Sequence, residues 1–162
     1  YGIDGTACKA GTSRMAMMYL ANWLEGFSRA TDFPLTCQYI SGRAVCIDAH
    51  SHINDALVRG GVAVVRLFYE VEHYALLTGV SKEHIYLFDP YYLAEAEQEF
   101  VRAGIEVTCD HPHSYNRVVP FACFNREARE LYAFGAMESR EAVLLFDART
   151  RRTADDTIEY FI

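Results

Sequence analysis

Three runs decide the fold: Gly61-Val62-Ala63-Val64-Val65-Arg66-Leu67-Phe68-Tyr69, His73-Tyr74-Ala75-Leu76-Leu77-Thr78-Gly79-Val80 and His84-Ile85-Tyr86-Leu87-Phe88-Asp89, closed by Pro90. Each is rich in β-branched and aromatic residues, which suit a pleated, packed surface. Ser81-Lys82-Glu83 supplies a turn between the second and third. Three strands joined by short connections are most simply an antiparallel meander.

Upstream of the meander the pattern is helical. Met15, Met18, Leu20, Trp23, Leu24 and Phe27 recur at helical spacing, which predicts a first helix from Cys8 to Gly26, with Met15, Met17 and Met18 on its core face. Phe33-Pro34 marks a turn, and short strands are expected at Leu35–Ile40 and Arg43–Ile47. Asp48 to Arg59 reads as a second helix, with Ile53, Ala56 and Leu57 inward and Gly60-Gly61 as its stop. Downstream, Leu93 to Ala103 is a helical or irregular excursion and Ile105 to Cys109 a strand. Asp110 to Asn116 is a loop, and Val118 to Phe124 fits either element type. Asn125 to Tyr132 suggests a helical turn and Glu141 to Phe146 a further strand. The tail from Asp147 reads as exposed, with Ile158, Tyr160, Phe161 and Ile162 able to form an edge strand. A helix followed by an antiparallel sheet is an α+β layout, and no repeat or linker divides residues 1–162, so one domain is expected.

The composition narrows the function classes. Hydrophobic residues make up 51% of the 162, enough for a full core. The formal net charge is −7, and the nearest thing to a basic patch is Arg149, Arg151 and Arg152, so a nucleic-acid partner is not expected. No apolar run approaches the roughly 20 residues that span a bilayer, and no signal peptide is visible. The first residue is Tyr1 rather than Met, which reads as a processed or truncated N-terminus. The five cysteines, Cys8, Cys37, Cys46, Cys109 and Cys123, are scattered without a CxxC. That density fits reduced thiols and a cytoplasmic setting better than a disulfide scaffold.

Three positions carry chemistry. Cys8 opens the expected first helix, where unpaired N–H groups and the positive end of the macrodipole favour a thiolate. His73 starts the second strand of the meander and Asp89 ends the third. A hairpin through residues 81–83 brings those two ends to the same side of the sheet, although they lie 16 positions apart. A carboxylate on one imidazole nitrogen fixes the tautomer and leaves the other to take a proton. Nucleophile, base and orienting acid together are what covalent acyl transfer requires. Taken singly, each has a plainer reading: a buried structural thiol, a strand histidine and a turn aspartate.

These motifs resemble the C39-like cysteine peptidases, a branch of the papain-like fold. The resemblance rests on Cys8 with Gly11-Thr12-Ser13, the apolar run Leu57 to Val65, His73-Tyr74 followed by Thr78-Gly79, and Ile85-Tyr86-Leu87-Phe88-Asp89-Pro90. It covers residues 8–90 and extends loosely beyond. It implies a papain-like α+β fold, with an N-terminal helix carrying the cysteine packed on an antiparallel sheet. It also implies Cys8 as nucleophile, His73 as general base, Asp89 as orienting acid and a peptide or protein substrate. No cofactor is implied. Two departures stand out. Lys9-Ala10 separates Cys8 from Gly11, where the family has Gly directly after the Cys. The oxyanion-donating Gln that papain-like enzymes carry about six residues before the Cys is replaced by Gly2, and the glutamines of the chain are Gln38 and Gln98.

Three other readings stay open. A C39-like domain without the oxyanion donor would bind peptides and not cut them. An acyltransferase would use the same triad with an amine in place of water. A metal enzyme would draw on Asp48, His50 and His52 with Asp110, His111 and His113, against which Asp48 or Ser51 reads better as a helix cap. Glu95, Glu97 and Glu99 read as a solvated acidic face.

Overall fold

In the computed structural model the described residues are 12–147. In chain order they form α1 (Arg14–Ala30), β1 (Leu35–Ser41), α2 (His52–Val58), β2 (Val62–Tyr69), β3 (Val71–Val80), β4 (His84–Phe88), α3 (Gln98–Ala103), β5 (Glu106–Val107), β6 (Arg117–Pro120), α4 (Phe121–Phe124) and β7 (Glu141–Asp147). The fold is α+β. Its seven strands make one antiparallel sheet in the order β1-β7-β2-β3-β4-β6-β5.

The meander sits at the centre of that sheet. Leu67 pairs with His73 across β2 and β3, and Leu76 with Phe88 across β3 and β4. Strand alternation then sorts the side chains. Ala63, Val65, Leu67, Ala75, Leu77, Ile85 and Leu87 share one face and are buried. On that face they meet Ile53, Ala56 and Leu57 of α2, Phe100 of α3, and Phe124, Tyr132 and Phe134. Each large side chain so buried contributes about 1.5–3 kcal/mol.

What the sequence left open is the position of β7. This last strand slots between β1 and β2, pairing Leu35 with Asp147 on one side and Val65 with Ala142 on the other. Gly61 lets the chain enter beside it, since a Cβ there would sit 2.8 Å from the Phe146 ring.

The first helix departs from expectation in three ways. It begins at Arg14, because Ser13 is extended (ψ 158°) and its hydroxyl accepts from the Ala16 N–H. It runs through Gly26 to Ala30, and the Thr31 hydroxyl closes its last turn on the Phe27 carbonyl. Its methionines do not form a core face: Met15 is 72% exposed, and Ala21 alone in the helix is buried. The helix lies against β1, the edge strand, and is tied to it by polar groups. Glu25 accepts from the Cys37 N–H at 2.8 Å, and Ser28 bridges the Phe33 carbonyl and the Leu35 N–H. An edge strand carries unpaired backbone groups, and here a helix covers part of them. Trp23 and Phe27 stack in the open, with centroids 5.4 Å apart.

Other boundaries shift for local reasons. Arg43–Ile47 is not a strand: Gly42 turns the chain with φ +62° into a 3-10 turn over Gly42–Ala44, and the Asn125 amide then clamps both the N–H and the carbonyl of Ile47. The second helix starts at His52, capped by Ser51 through the Asn54 N–H. The strand expected at Ile105–Cys109 is reduced to Glu106–Val107. Residues 118–124 divide between β6 and α4. No helix forms over 125–132; the chain there is held by non-local bonds, with Tyr132 N–H to the Phe68 carbonyl and Phe68 N–H to the Ala133 carbonyl. The tail expected to be exposed, and the edge strand expected from Ile158, Tyr160, Phe161 and Ile162, lie outside the described residues from residue 148 on.

That irregular segment closes at Gly135, which has φ +75° and where a Cβ would run into the Phe68 ring at Cε2. Both the backbone and the ring oppose a side chain there. Gly135→Ala is expected to lower unfolding stability by about 2–3 kcal/mol, read as a fall in the urea midpoint. A loss below about 0.5 kcal/mol, the scatter of neutral surface changes, would contradict this.

Candidate active site

The β3–β4 hairpin brings His73 and Asp89 together. His73 lies on the core face beside Ala75, and Asp89 follows Leu87 on the same face. His73 Nε2 is 2.9 Å from Asp89 Oδ2. The Asp89 side chain is fully buried, while that of His73 is 19% exposed. With Nε2 directed at the carboxylate, Nδ1 is the ring nitrogen left for a thiol or a substrate.

Asp89 is held from every side. The Tyr91 N–H donates to Oδ1 and the Tyr132 hydroxyl to Oδ2, each at 2.8 Å. The Asn116 amide takes the Asp89 N–H and donates to its carbonyl, also at 2.8 Å. This continues the ladder one residue past the end of β4, where Pro90 cannot donate. Burial pushes the carboxyl upward. The hydrogen bonds from His73, Tyr91 and Tyr132 and the charge of His73 outweigh that, so Asp89 lies below the usual carboxylate range.

Two residues near this pair have left-handed backbones. Glu70, at the tip of the β2–β3 connection, has φ +55°, and Tyr132 has φ +58°. Such a conformation costs a residue other than glycine on the order of 1–2 kcal/mol. Tyr132 is completely buried, with its ring centroid 6.5 Å from that of His73 and 5.7 Å from that of Phe100.

A cleft of about 1490 Å³ runs past His73. Its lining includes Thr12, Ser13 and Ala16 at the start of α1, together with Glu99 and residues 129–131. The start of α1 is anchored to the sheet by a second buried carboxylate. Glu141, 1% exposed, accepts from the hydroxyls of Tyr74 (2.7 Å) and Tyr39 (2.9 Å) and lies 3.7 Å from both Arg14 Nε and Arg66 Nε. Arg14 also donates to the Glu138 carbonyl, and Arg66 to the Ser139 carbonyl. Burial and the Glu141 carboxylate push the Tyr39 hydroxyl up to about 12 and Tyr74 higher still, so both remain donors at neutral pH.

Of the three residues singled out in the sequence, the structure joins His73 and Asp89. Cys8 lies outside the described residues, and α1 opens at Arg14 rather than at Cys8. Sequence reading missed Tyr132, Asn116 and Glu141. Glu141 left a trace, as a charge opening the apolar run Ala142 to Leu145. Tyr132 left none, being 43 positions from the carboxylate it contacts.

The other candidates have structural roles. Asp48 accepts from the His50 N–H, Ser51 caps α2, and His111 stacks on Tyr115 at 4.4 Å. Among the described residues no three His, Cys, Asp or Glu side chains converge as a metal site. Glu97, on the acidic face, accepts from the Tyr69 hydroxyl at 3.0 Å. Cys37, Cys46, Cys109 and Cys123 are free thiols. Burial, then the charge of Glu25, pushes Cys37 up to about 11, and burial also raises Cys46 and Cys123. No helix among the described residues is long and apolar enough to cross a membrane. No protein family, curated protein or solved structure matches the chain.

Proposed function

We propose that this chain is a C39-like cysteine peptidase of the papain-like fold, with Cys8 as nucleophile, His73 as general base and Asp89 as the acid that orients it. The observation that carries the reading is the 2.9 Å contact between His73 Nε2 and a buried, ionised Asp89 beside a cleft. An ionised acceptor on Nε2 selects the tautomer with its lone pair on Nδ1. The same cleft is lined by Thr12, four positions after Cys8. Cys8 itself lies outside the described residues, and the alkylation experiment addresses it directly.

In this reading the Cys8 thiol gives its proton to His73 Nδ1 and its sulfur attacks the scissile carbonyl. The C–N bond breaks, the departing amine takes the proton from His73, and a thioester remains. His73 then takes a proton from water, whose oxygen attacks the thioester and releases the acid and the thiol. Asp89 stays ionised throughout and stabilises the imidazolium.

The test is the rate of iodoacetamide alkylation against pH, resolved by residue with peptide mass spectrometry. Cys8 is expected to react with a midpoint well below about 8.5, the value of an ordinary thiol, and His73→Ala to move that midpoint up. Cys37, Cys46 and Cys123 serve as internal references, each raised by burial. A second reading, a peptide-binding domain without turnover, is favoured by Gly2 standing where papain-like enzymes carry the oxyanion-donating Gln. An ordinary Cys8 titration that His73→Ala leaves unchanged would select that second reading and reject the peptidase.

A further inference from the structure

We propose that Tyr132 is a positioning residue of the site: its hydroxyl, aimed by a left-handed backbone, locks the Asp89 carboxylate in the orientation that holds the His73 tautomer. The catalytic consequence rests on the peptidase reading above; the positioning itself does not.

Three independent features converge on this tyrosine. It is completely buried, yet its hydroxyl reaches Asp89 Oδ2 at 2.8 Å, the same oxygen that His73 Nε2 meets at 2.9 Å. Its backbone has φ +58° in a segment without regular structure. Its N–H donates to the Phe68 carbonyl at 2.7 Å, which pins the strained residue to the end of β2. An aromatic residue adopts such a conformation only where the surroundings over-determine it, and these outliers concentrate at functional sites.

A buried phenol needs an acceptor, and the acceptor it takes here is the same oxygen that His73 meets. With two donors on Oδ2 and the Tyr91 N–H on Oδ1, the carboxylate cannot rotate without losing a hydrogen bond. A donor on Oδ2 also favours the ionised Asp89, both of whose oxygens are acceptors only, so that Nε2–H meets a charged acceptor. Tyr132 itself stays protonated, because burial and the adjacent Asp89 charge raise its hydroxyl. Among the described residues, three groups face this pair from neighbouring elements. Tyr69 of β2 packs edge-on to His73 and is tied to Glu97; Tyr91 supplies its N–H; and Arg117 of β6, buried, donates to the carbonyls of Asn116 and Tyr91.

The experiment is Tyr132→Phe followed by NMR, with the Asp89 carboxyl carbon and the His73 ring nitrogens read against pH. Phe keeps the ring and the backbone and removes one donor. The Asp89 midpoint is expected to rise by about one pH unit, and His73 to lose its single Nε2–H tautomer. In the wild type the Tyr132 hydroxyl proton is expected as a slowly exchanging signal close to the His73 ring, which provides a reading even where the variant folds poorly. An unchanged Asp89 midpoint with an unchanged tautomer, or the absence of that proton in the wild type, overturns the proposal. Because neither signal depends on Cys8, a failed alkylation test with a shifted Asp89 midpoint rejects the peptidase alone.

Discussion

Replacing His73 with Ala is expected to slow peptide-bond cleavage by on the order of 10⁴-fold or more, the scale of losing the base from a nucleophile–base unit. Cys8→Ala should match it, and the double variant should be hardly worse, because the two act as one unit. Asp89→Asn is the more discriminating change. An amide at this position places an NH₂ group or a weaker acceptor against Nε2. With NH₂ facing it, the imidazole moves its proton to Nδ1, the nitrogen needed to accept from the thiol. A loss of about 10²–10⁴-fold is expected with little change in KM. A mixed peptide pool with products read by mass spectrometry supplies the measurement. Equal turnover by His73→Ala and wild type would reject the assigned base whatever else cleaves the pool.

Asp89→Ala is expected to destabilise the fold by about 3–5 kcal/mol, since it strips the partner from buried donors rather than from an exposed pair. Tyr132 would be left with a buried hydroxyl and the Tyr91 N–H without its acceptor. The pH dependence has a definite sign. Asp89 lies below its unfolded value, so its stabilisation is fully present above the unfolded value of about 3.9 and is lost as pH falls through the folded one. Wild-type stability should therefore decline on the acid side below about pH 4, and Asp89→Asn should flatten that decline. Urea melts between about pH 2 and 6 would show it; parallel acid limbs in the two proteins would mean that other carboxylates govern acid unfolding.

The half of the site that could be read from sequence was the half that local geometry controls. A turn at 81–83 and two strands of alternating pattern are enough to bring His73 and Asp89 to one end of a hairpin on one face, because strand period and antiparallel pairing are local rules. The first helix was harder. Its apolar spacing signalled a helix but not what covers it, and the structure leaves Met15, Tyr19 and Trp23 exposed while Glu25 and Ser28 bond the edge strand. Spacing reports which residues share a face; it does not report whether that face is buried. The start at Arg14 turned on Ser13, whose hydroxyl caps the helix.

The sequence alone therefore determined the α+β class, the central meander and the meeting of His73 with Asp89, all of which follow from contacts at short separation. Only the tertiary structure decided that β7 enters between β1 and β2, that Glu141 anchors the start of α1 through Arg14, and that Tyr132 and Asn116 secure Asp89 from 43 and 27 positions away. Those contacts cross long loops. Their formation depends on how the whole core closes, a global balance that no local pattern encodes.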